Sequence, residues 1–365
     1  MKHLKIRLML VMGYLGAVVG AGFASGQEIV QFFVNYGSFG LTGALIATLL
    51  FALMGGLLLY LAHRYRVSNY QDLLARIVGE RLSPVIDLLL AVFLFLGIST
   101  MFSASGAVFY EHLYLPKNLG IFTAYLLVVV SLLAGRQGLI LSYNLLVPVK
   151  LVLLLIITGY AALFVKETPA ATTYTAYMSS QASQLWGLSS LLYVAYNFAL
   201  AMVVLTEYQS VGARRDGITG AVWGGLILGL LVVLNYLALS RFLPVVTHYQ
   251  VPMLFVAGQI SSTTKYIYTV VLWIGILTTA IANTYGFAQR MANFSGLSYG
   301  LCLVLCSTLA LPLSMQSFSS LVGKIYPIFG ILGMVILTGV LWQAGKDILQ
   351  RMYYNISQLY WGLRR

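Results

Sequence analysis

Charge is what this sequence has least of. Only 8% of its 365 residues are Asp, Glu, Lys or Arg, against about 25% in an ordinary soluble domain. A water-soluble surface cannot be built from so few charges. Acidic residues are the scarcest: nine carboxylates stand against 21 Lys and Arg, for a net charge of +12. In a soluble protein that excess would point to nucleic acid. Here no stretch interleaves basic and aromatic residues in a polar context, so the cations read as loop anchors beside a lipid bilayer and no nucleic-acid partner is expected. Cysteine is almost absent. Cys302 and Cys306 lie four apart in an apolar run, as packing residues on one helix would, and neither a disulfide framework nor a metal-ligand spacing is present. The four histidines, His3, His63, His112 and His248, fall at span ends or in loops. Covalent catalysis has no constellation to work with, so the chain reads as not an enzyme and as needing no cofactor.

Apolar residues take the place of charge. They make up 60% of the chain, and mean hydropathy is +0.90. They come in long runs, and about 20 apolar helical residues cross a hydrocarbon core of about 30 Å. The runs predict an all-α integral membrane protein of about ten transmembrane helices: 8–34, 39–63, 84–110, 118–134, 139–165, 186–207, 217–243, 266–290, 297–313 and 321–343. The basic, then apolar start superficially resembles a signal peptide, but the apolar pattern runs on through Val34 and reads as the first span. A polar connection occupies 166–185, and His248 to Met253 reads as an outer loop with a short helix. The tail, 344–365, is amphipathic through Ile348, Met352, Ile356 and Tyr360 and is expected on the cytoplasmic membrane face. With the N-terminus inside, the inner segments hold 15 of the 21 cations and the outer segments five, with Lys150 in neither group. Both termini are therefore expected to be cytoplasmic. Ten spans split five and five: 1–165 as a first repeat, 166–185 as an extracytoplasmic connection, and 186–343 as a second repeat. An odd number per half inverts the second half relative to the first, the logic of many secondary transporters.

Three places in the spans carry chemistry. The first is Gly20, Ala21, Gly22, Phe23, Ala24, Ser25 and Gly26, followed by Glu28. Each of its three glycines costs roughly 1 kcal/mol of helix propensity relative to alanine. Clustered in mid-span, they point either to a local break or to close packing through Gly22-xxx-Gly26. Glu28 favours the break, because a carboxylate among Ile29, Val30, Phe32 and Phe33 needs a cavity or a partner. Broken backbone at that depth is tolerated where it is buried or lines water. The second is Tyr196, Asn197 and Phe198, at the symmetry-related position in the sixth span. They line a pocket, or Asn197 makes an interhelical hydrogen bond. The third is Lys150, too deep in the fifth span to snorkel; it is a coupling or gating group, a stand-in for a bound metal ion, or a structural pair with a helix end. Thr278 and Thr279 in the eighth span offer hydroxyls to sodium or to their own helix. Ser103, in a small polar stripe with Ser99, Thr100 and Ser105, lines a cavity or permits close packing.

The stretch Val19 to Ile29, VGAGFASGQEI, resembles the first-helix signature of the YkvI-like bacterial membrane proteins. More loosely it resembles the G-x-G-x-F pattern of the amino acid–polyamine–organocation superfamily. With span count and length, the resemblance covers nearly the whole chain. It implies a LeuT-like fold of two inverted five-helix repeats with a discontinuous first helix, a small-molecule substrate held between spans one, three, six and eight, and backbone contacts from Gly20 to Gly26. It also implies a place for Lys150 where sodium-independent members put a lysine instead of an ion, and for Val19, Thr278 and Thr279 where sodium-dependent relatives bind the ion. The sixth span departs from the superfamily, having no glycine-rich break. The expectation is a secondary transporter of an amino acid or amine in the bacterial inner membrane, with H+ or Na+ as the coupling ion. A ligand sensor without translocation is the alternative of another class.

Overall fold

The structure is a computed structural model describing residues 2–67, 69–133, 136–166, 169–181, 185–207, 209 and 213–362. Side chains at 2, 136–147, 169–170, 180–181, 351–352 and 354–362 are not described. The amphipathic pattern assigned to Met352, Ile356 and Tyr360 falls on those, and Arg364 and Arg365 lie outside the described residues.

All regular structure among the described residues is helical. The first span is interrupted twice. α1 (Lys2–Val18) ends before Val19 and Gly20, α2 (Ala21–Ser25) is one short turn, and α3 (Gln27–Phe32) follows Gly26. After a 3-10 turn at Val34–Tyr36 come α4 (Phe39–Tyr65), α5 (Tyr70–Val78), α6 (Ser83–His112), α7 (Lys117–Leu132), α8 (Arg136–Phe164) and α9 (Pro169–Gln181). The second half holds α10 (Trp186–Glu207), α11 (Arg214–Ser240), α12 (Pro252–Ile260), α13 (Ser262–Ser295), α14 (Tyr299–Ser314) and α15 (Phe318–Gly362). Among the described residues six helices are long and apolar enough to cross a membrane: α4, α6, α10, α11, α13 and the first 33 residues of α15. α7, α14 and the 148–164 part of α8 are shorter apolar helices.

Local chemistry sets many of these boundaries. Asn69 caps α5 by accepting from the Gln71 amide at 2.8 Å. Ser261 caps α13 by accepting from the Thr264 amide at 3.0 Å, satisfying donors that a helix start leaves open. Pro84 and Pro252 sit in the first turns of α6 and α12, where the missing N–H costs nothing.

Three features differ from the sequence expectation. The connection at 166–185 contains a helix, α9. α5 is an extra helix between the second and third spans. The tail continues α15 without a stop, because Gly345 alone is too weak a breaker to end a helix of good formers. α10 is unbroken, in line with its having no glycine after Gly187.

Polar contacts pin two opposite faces. On the face carrying the N-terminus, Arg7 donates to Asp216 at 2.9 Å and Arg64 to Asp347 at 3.0 Å. There too Arg290 reaches Asp87 at 3.0 Å. On the opposite face, Ser179 holds Ser38 at 2.9 Å, and Lys117 donates to the carbonyls of Met315 and Gln316 at 2.8 Å. Glu111 accepts from the Gln250 amide at 3.1 Å, and Arg241 bonds the carbonyls of Val165 and Ala162. α5 lies on the N-terminal face, and α9 and α12 on the opposite one.

Candidate functional site

The site starts from the break. Gly20 has extended backbone (φ −89°, ψ −168°), so the α1 hydrogen-bond ladder stops at Val18. Gly26 has φ +81°, a left-handed conformation that a Cβ would oppose. The two interruptions leave α2 as an island whose end groups lack intrahelical partners. Ser25 stitches it locally, donating to the Gly22 carbonyl at 2.8 Å and accepting from the Gln27 amide at 3.2 Å. Tyr268 of α13 donates to the Ala24 carbonyl at 2.6 Å.

Glu28, one turn beyond, folds back over this island. A Cβ added to Gly22 would meet Glu28 Oε1 at 1.9 Å. Gly22 is therefore the gap in which the carboxylate sits. Glu28 is only 4% exposed. Tyr196 of α10 donates its hydroxyl to Glu28 Oε2 at 2.5 Å. Aromatic rings pack around the pair: Tyr326 at 5.0 Å between centroids from Tyr196, Phe32 at 5.7 Å, and Tyr193 at 5.7 Å, edge-on. Phe93 of α6 meets Tyr326 at 5.8 Å.

A cavity of about 270 Å³ adjoins this cluster. At its deep end it is bounded by Gly20, Gly22, Glu28, Tyr196, Tyr326 and Thr279. Its walls pass apolar residues such as Leu90, Leu94 and Val203. Asn197, Asn283 and finally Arg290 of the N-terminal face also line it. Arg290 reaches Tyr70 and Asp87, and Tyr70 donates to Asp87 at 2.5 Å. On the other side of the break the structure is filled: a Cβ at Gly26 would lie 2.8 Å from Met253 of α12 and 3.2 Å from Leu239. Phe33 and Tyr193 pack edge-on there at 4.9 Å.

Of the residues singled out from sequence, Gly20, Gly22, Glu28, Tyr196, Asn197 and Thr279 line this one cavity. Ala21, Phe23, Ala24, Ser25 and Gly26 are buried around it without lining it, as are Val19 and Phe198. Asn197 donates to the Tyr193 carbonyl of its own helix at 3.0 Å. Ser103 donates to the Gln316 carbonyl at 2.6 Å, tying α6 to the opposite face. Lys150 forms a separate station. It is 1% exposed, and its Nζ lies 3.5 Å from Thr278 Oγ1. Its stem runs past Gly275, close to Ala21 and Ala24 of α2. Thr278 donates to the Ile274 carbonyl at 2.9 Å, and Thr279 to the Gly275 carbonyl at 2.9 Å. Sequence reasoning missed Tyr326, Phe93 and the Tyr70–Asp87–Arg290 cluster. Pro327 beside Tyr326 was the available signal for the first.

Geometry and composition define a helical membrane protein with a broken helix beside a buried cavity. Comparison with known proteins gives the class. The fold is similar to that of the manganese transporter of Eremococcus coleocola, seen with a bound aromatic bis-isothiourea compound: TM-score 0.61 at 15% identity, over 91% of this chain and 77% of that one. A mutant of that transporter superposes with a TM-score of 0.58 at 14% identity, over 92% and 77% of the two chains. The chain therefore shares the fold of that membrane transporter. In sequence it is a homologue of the Bacillus subtilis membrane protein YkvI, 28% identical over 330 residues, which span 90% of this chain and 93% of YkvI. YyaD of the same organism is 26% identical over 331 residues, 90% of this chain and 94% of that protein. The resemblance carried by Val19 to Ile29 thus extends along nearly the whole chain. No family model matches it.

Proposed function

We propose that this protein is a secondary transporter that carries a small organic solute, an amino acid or an amine, by alternating access. The observation that carries the reading is the one-sided cavity. It meets the interrupted first helix at mid-depth and runs to the N-terminal face, while α12 and its neighbours fill the other side of the break. By the positive-inside rule the N-terminal face is cytoplasmic, which makes this an inward-facing state with both termini inside.

The packing supports two inverted five-helix repeats within ten spans. Exchanging each helix for its counterpart five spans later preserves most of the neighbour relations. α1 packs on α11 as α10 packs on α4, and α6 on α7 as α13 on α14. α13 packs on α8 as α6 does on α15, while α4 and α11 pair with each other. The short helices obey the same exchange: α12 touches α13, α11, α8 and α2, and α5 touches α6, α4, α15 and α10. Such repeats let one bundle rock against the other around a fixed site.

The transport is proposed to be sodium-independent and proton-linked. Lys150 supports this, because its ammonium lies beside Thr278, where a sodium ion would need the same oxygen. The manganese cargo of the structural neighbour is a poorer fit. Glu28 is the one carboxylate at the deep end of the cavity, and its other neighbours there are glycine, tyrosine and threonine. Purified protein in vesicles loaded with unlabelled solute should take up labelled solute by counterflow, with or without sodium. Saturable binding with no counterflow would instead make the protein a ligand sensor.

A further inference from the structure

The cavity carries charge of one sign at each end, and the spacing of those charges selects the solute. At the deep end stands Glu28, buried, with one hydroxyl donor and Gly22 against its carboxylate. Gly20, two residues before Gly22, lies level with Thr279, whose Oγ1 is 3.2 Å from a Cβ built there. Arg290, the cation that lines the cavity, sits eleven residues further along α13. At about 1.5 Å of rise per residue that places it roughly 16 Å beyond Thr279. The ammonium and carboxylate of one α-amino acid cannot span that distance. Arg290 also shares its charge with Asp87, which it holds through Nη2 at 3.0 Å.

Besides the side-chain amides of Asn197 and Asn283 on the wall, the strongest route for a solute carboxylate is the island α2 itself, with the amide donors that an interrupted helix exposes. That place is taken by the protein's own carboxylate, since Glu28 Oε1 fills the hollow over Gly22. A second carboxylate there would meet like charge in a low-dielectric setting. What the deep end lacks is a cation. A buried carboxylate with a single hydroxyl donor has unused acceptor capacity. Phe93, Tyr196 and Tyr326 line the space beside it, and an ammonium ion is attracted to the faces of such rings. Beyond them the wall of Leu90, Leu94, Leu200 and Val203 suits an apolar body.

We propose that the cavity is a receptor for an organic ammonium ion: an alkylamine or arylalkylamine without a carboxylate, its head against Glu28 and its body along the apolar wall toward Arg290. The assignment takes the cavity as the solute site of the transporter proposed above, and it selects one of the two solute classes left open there.

The test uses the full chain in detergent and two matched series. One is 3-methylbutylamine, leucine and 3-methylbutan-1-ol; the other is phenethylamine, phenylalanine and 2-phenylethanol. In calorimetric titration each amine should bind at least about tenfold more tightly than the amino acid and the alcohol with the same body. Glu28→Gln, close to isosteric, should weaken amine binding about ten- to hundredfold. If that variant fails to fold, the wild-type series decides by itself. Amino acids binding as tightly as their amines would overturn the assignment. So would amine affinity unchanged in Glu28→Gln, or no amine binding below about 10 mM. Counterflow separates this from the transporter reading. Amine binding without exchange keeps the ammonium site and removes the transporter. Leucine exchange that Glu28→Gln leaves intact keeps the transporter and removes the ammonium site.

Discussion

Replacing Lys150 with methionine should leave the fold as stable or more stable while sharply slowing exchange. Lys150 is 1% exposed, and its ammonium lies 3.5 Å from Thr278 Oγ1. A hydrogen bond that long is at the edge of the useful range and contributes at most about 1 kcal/mol. Among the described residues no carboxylate lies within ion-pair distance of it. Burying an ammonium costs several kcal/mol even after relaxation. Methionine is similar in length, and a volume-conserving apolar exchange costs less than about 1.5 kcal/mol. The balance favours Lys150→Met by up to a few kcal/mol. Lys150→Ala should lose about 2–5 kcal/mol instead, because it empties packed volume beside Gly275 and Ala24. Thermal unfolding in detergent should therefore rank Met at or above Lys, and Lys above Ala. Counterflow should fall at least about tenfold in Lys150→Met, the usual conflict between stability and function at a working group. A methionine variant weaker than wild type by more than about 2 kcal/mol would refute the reasoning, because the ammonium would then be held by partners that make it structural. Unchanged counterflow would refute the functional half alone.

Further outcomes follow from the local geometry. Gly22→Ala would put a Cβ 1.9 Å from Glu28 Oε1, so the carboxylate must leave its hollow; solute affinity in titration should drop at least about tenfold while the helical circular-dichroism signal stays. In Gly225→Ala the new Cβ would lie 2.5 Å from Ala52 N and Phe51 C, backbone atoms that cannot rotate away. Thermal unfolding should show a loss of about 1–3 kcal/mol, whereas Gly345→Ala, with open space around it, should gain up to about 1 kcal/mol. Asp87→Asn weakens an ion pair with Arg290 that is about a quarter exposed on both sides, so it should cost no more than about 1 kcal/mol in the same assay. A larger loss would mean that the Tyr70–Asp87–Arg290 cluster holds α5 in place.

The six long apolar helices and the first-helix break were legible because each rests on a local rule. Apolar run length marks a span, and Gly20, Gly22 and Gly26 clustered before Glu28 mark a break. The rest of the site was not legible, because it depends on which way a side chain points across the bundle. Ser103 and Ser105 sit two apart in one small polar stripe, yet Ser103 bonds Gln316 and Ser105 bonds the Gly120 carbonyl at 2.7 Å. Tyr326 lies in an apolar run like any core residue, and only the approach of α15 to α10 brings it to Tyr196. α5 was missed for another reason. It is nine residues long and mixes Asp72, Arg76 and Gln71 with Leu73, Leu74 and Ile77, so a search for spans passes over it.

The unbroken α10 carries the last step. Where a bundle interrupts both symmetry-related helices, the backbone of each can serve a solute. Here the first is interrupted, and α10, its counterpart in the proposed repeat, presents side chains from a continuous helix. Tyr196 and Asn197 are what α10 offers to the cavity. Tyr196 spends its hydroxyl on Glu28, and Asn197 spends its amide nitrogen on the Tyr193 carbonyl. At the deep end the recognition left over includes the acceptor capacity of Glu28 and the aromatic rings beside it. A helix pair built this way is matched to a solute that brings donors and positive charge. That is why the amine series, rather than the ion dependence, is the sharper discriminator of what this cavity holds.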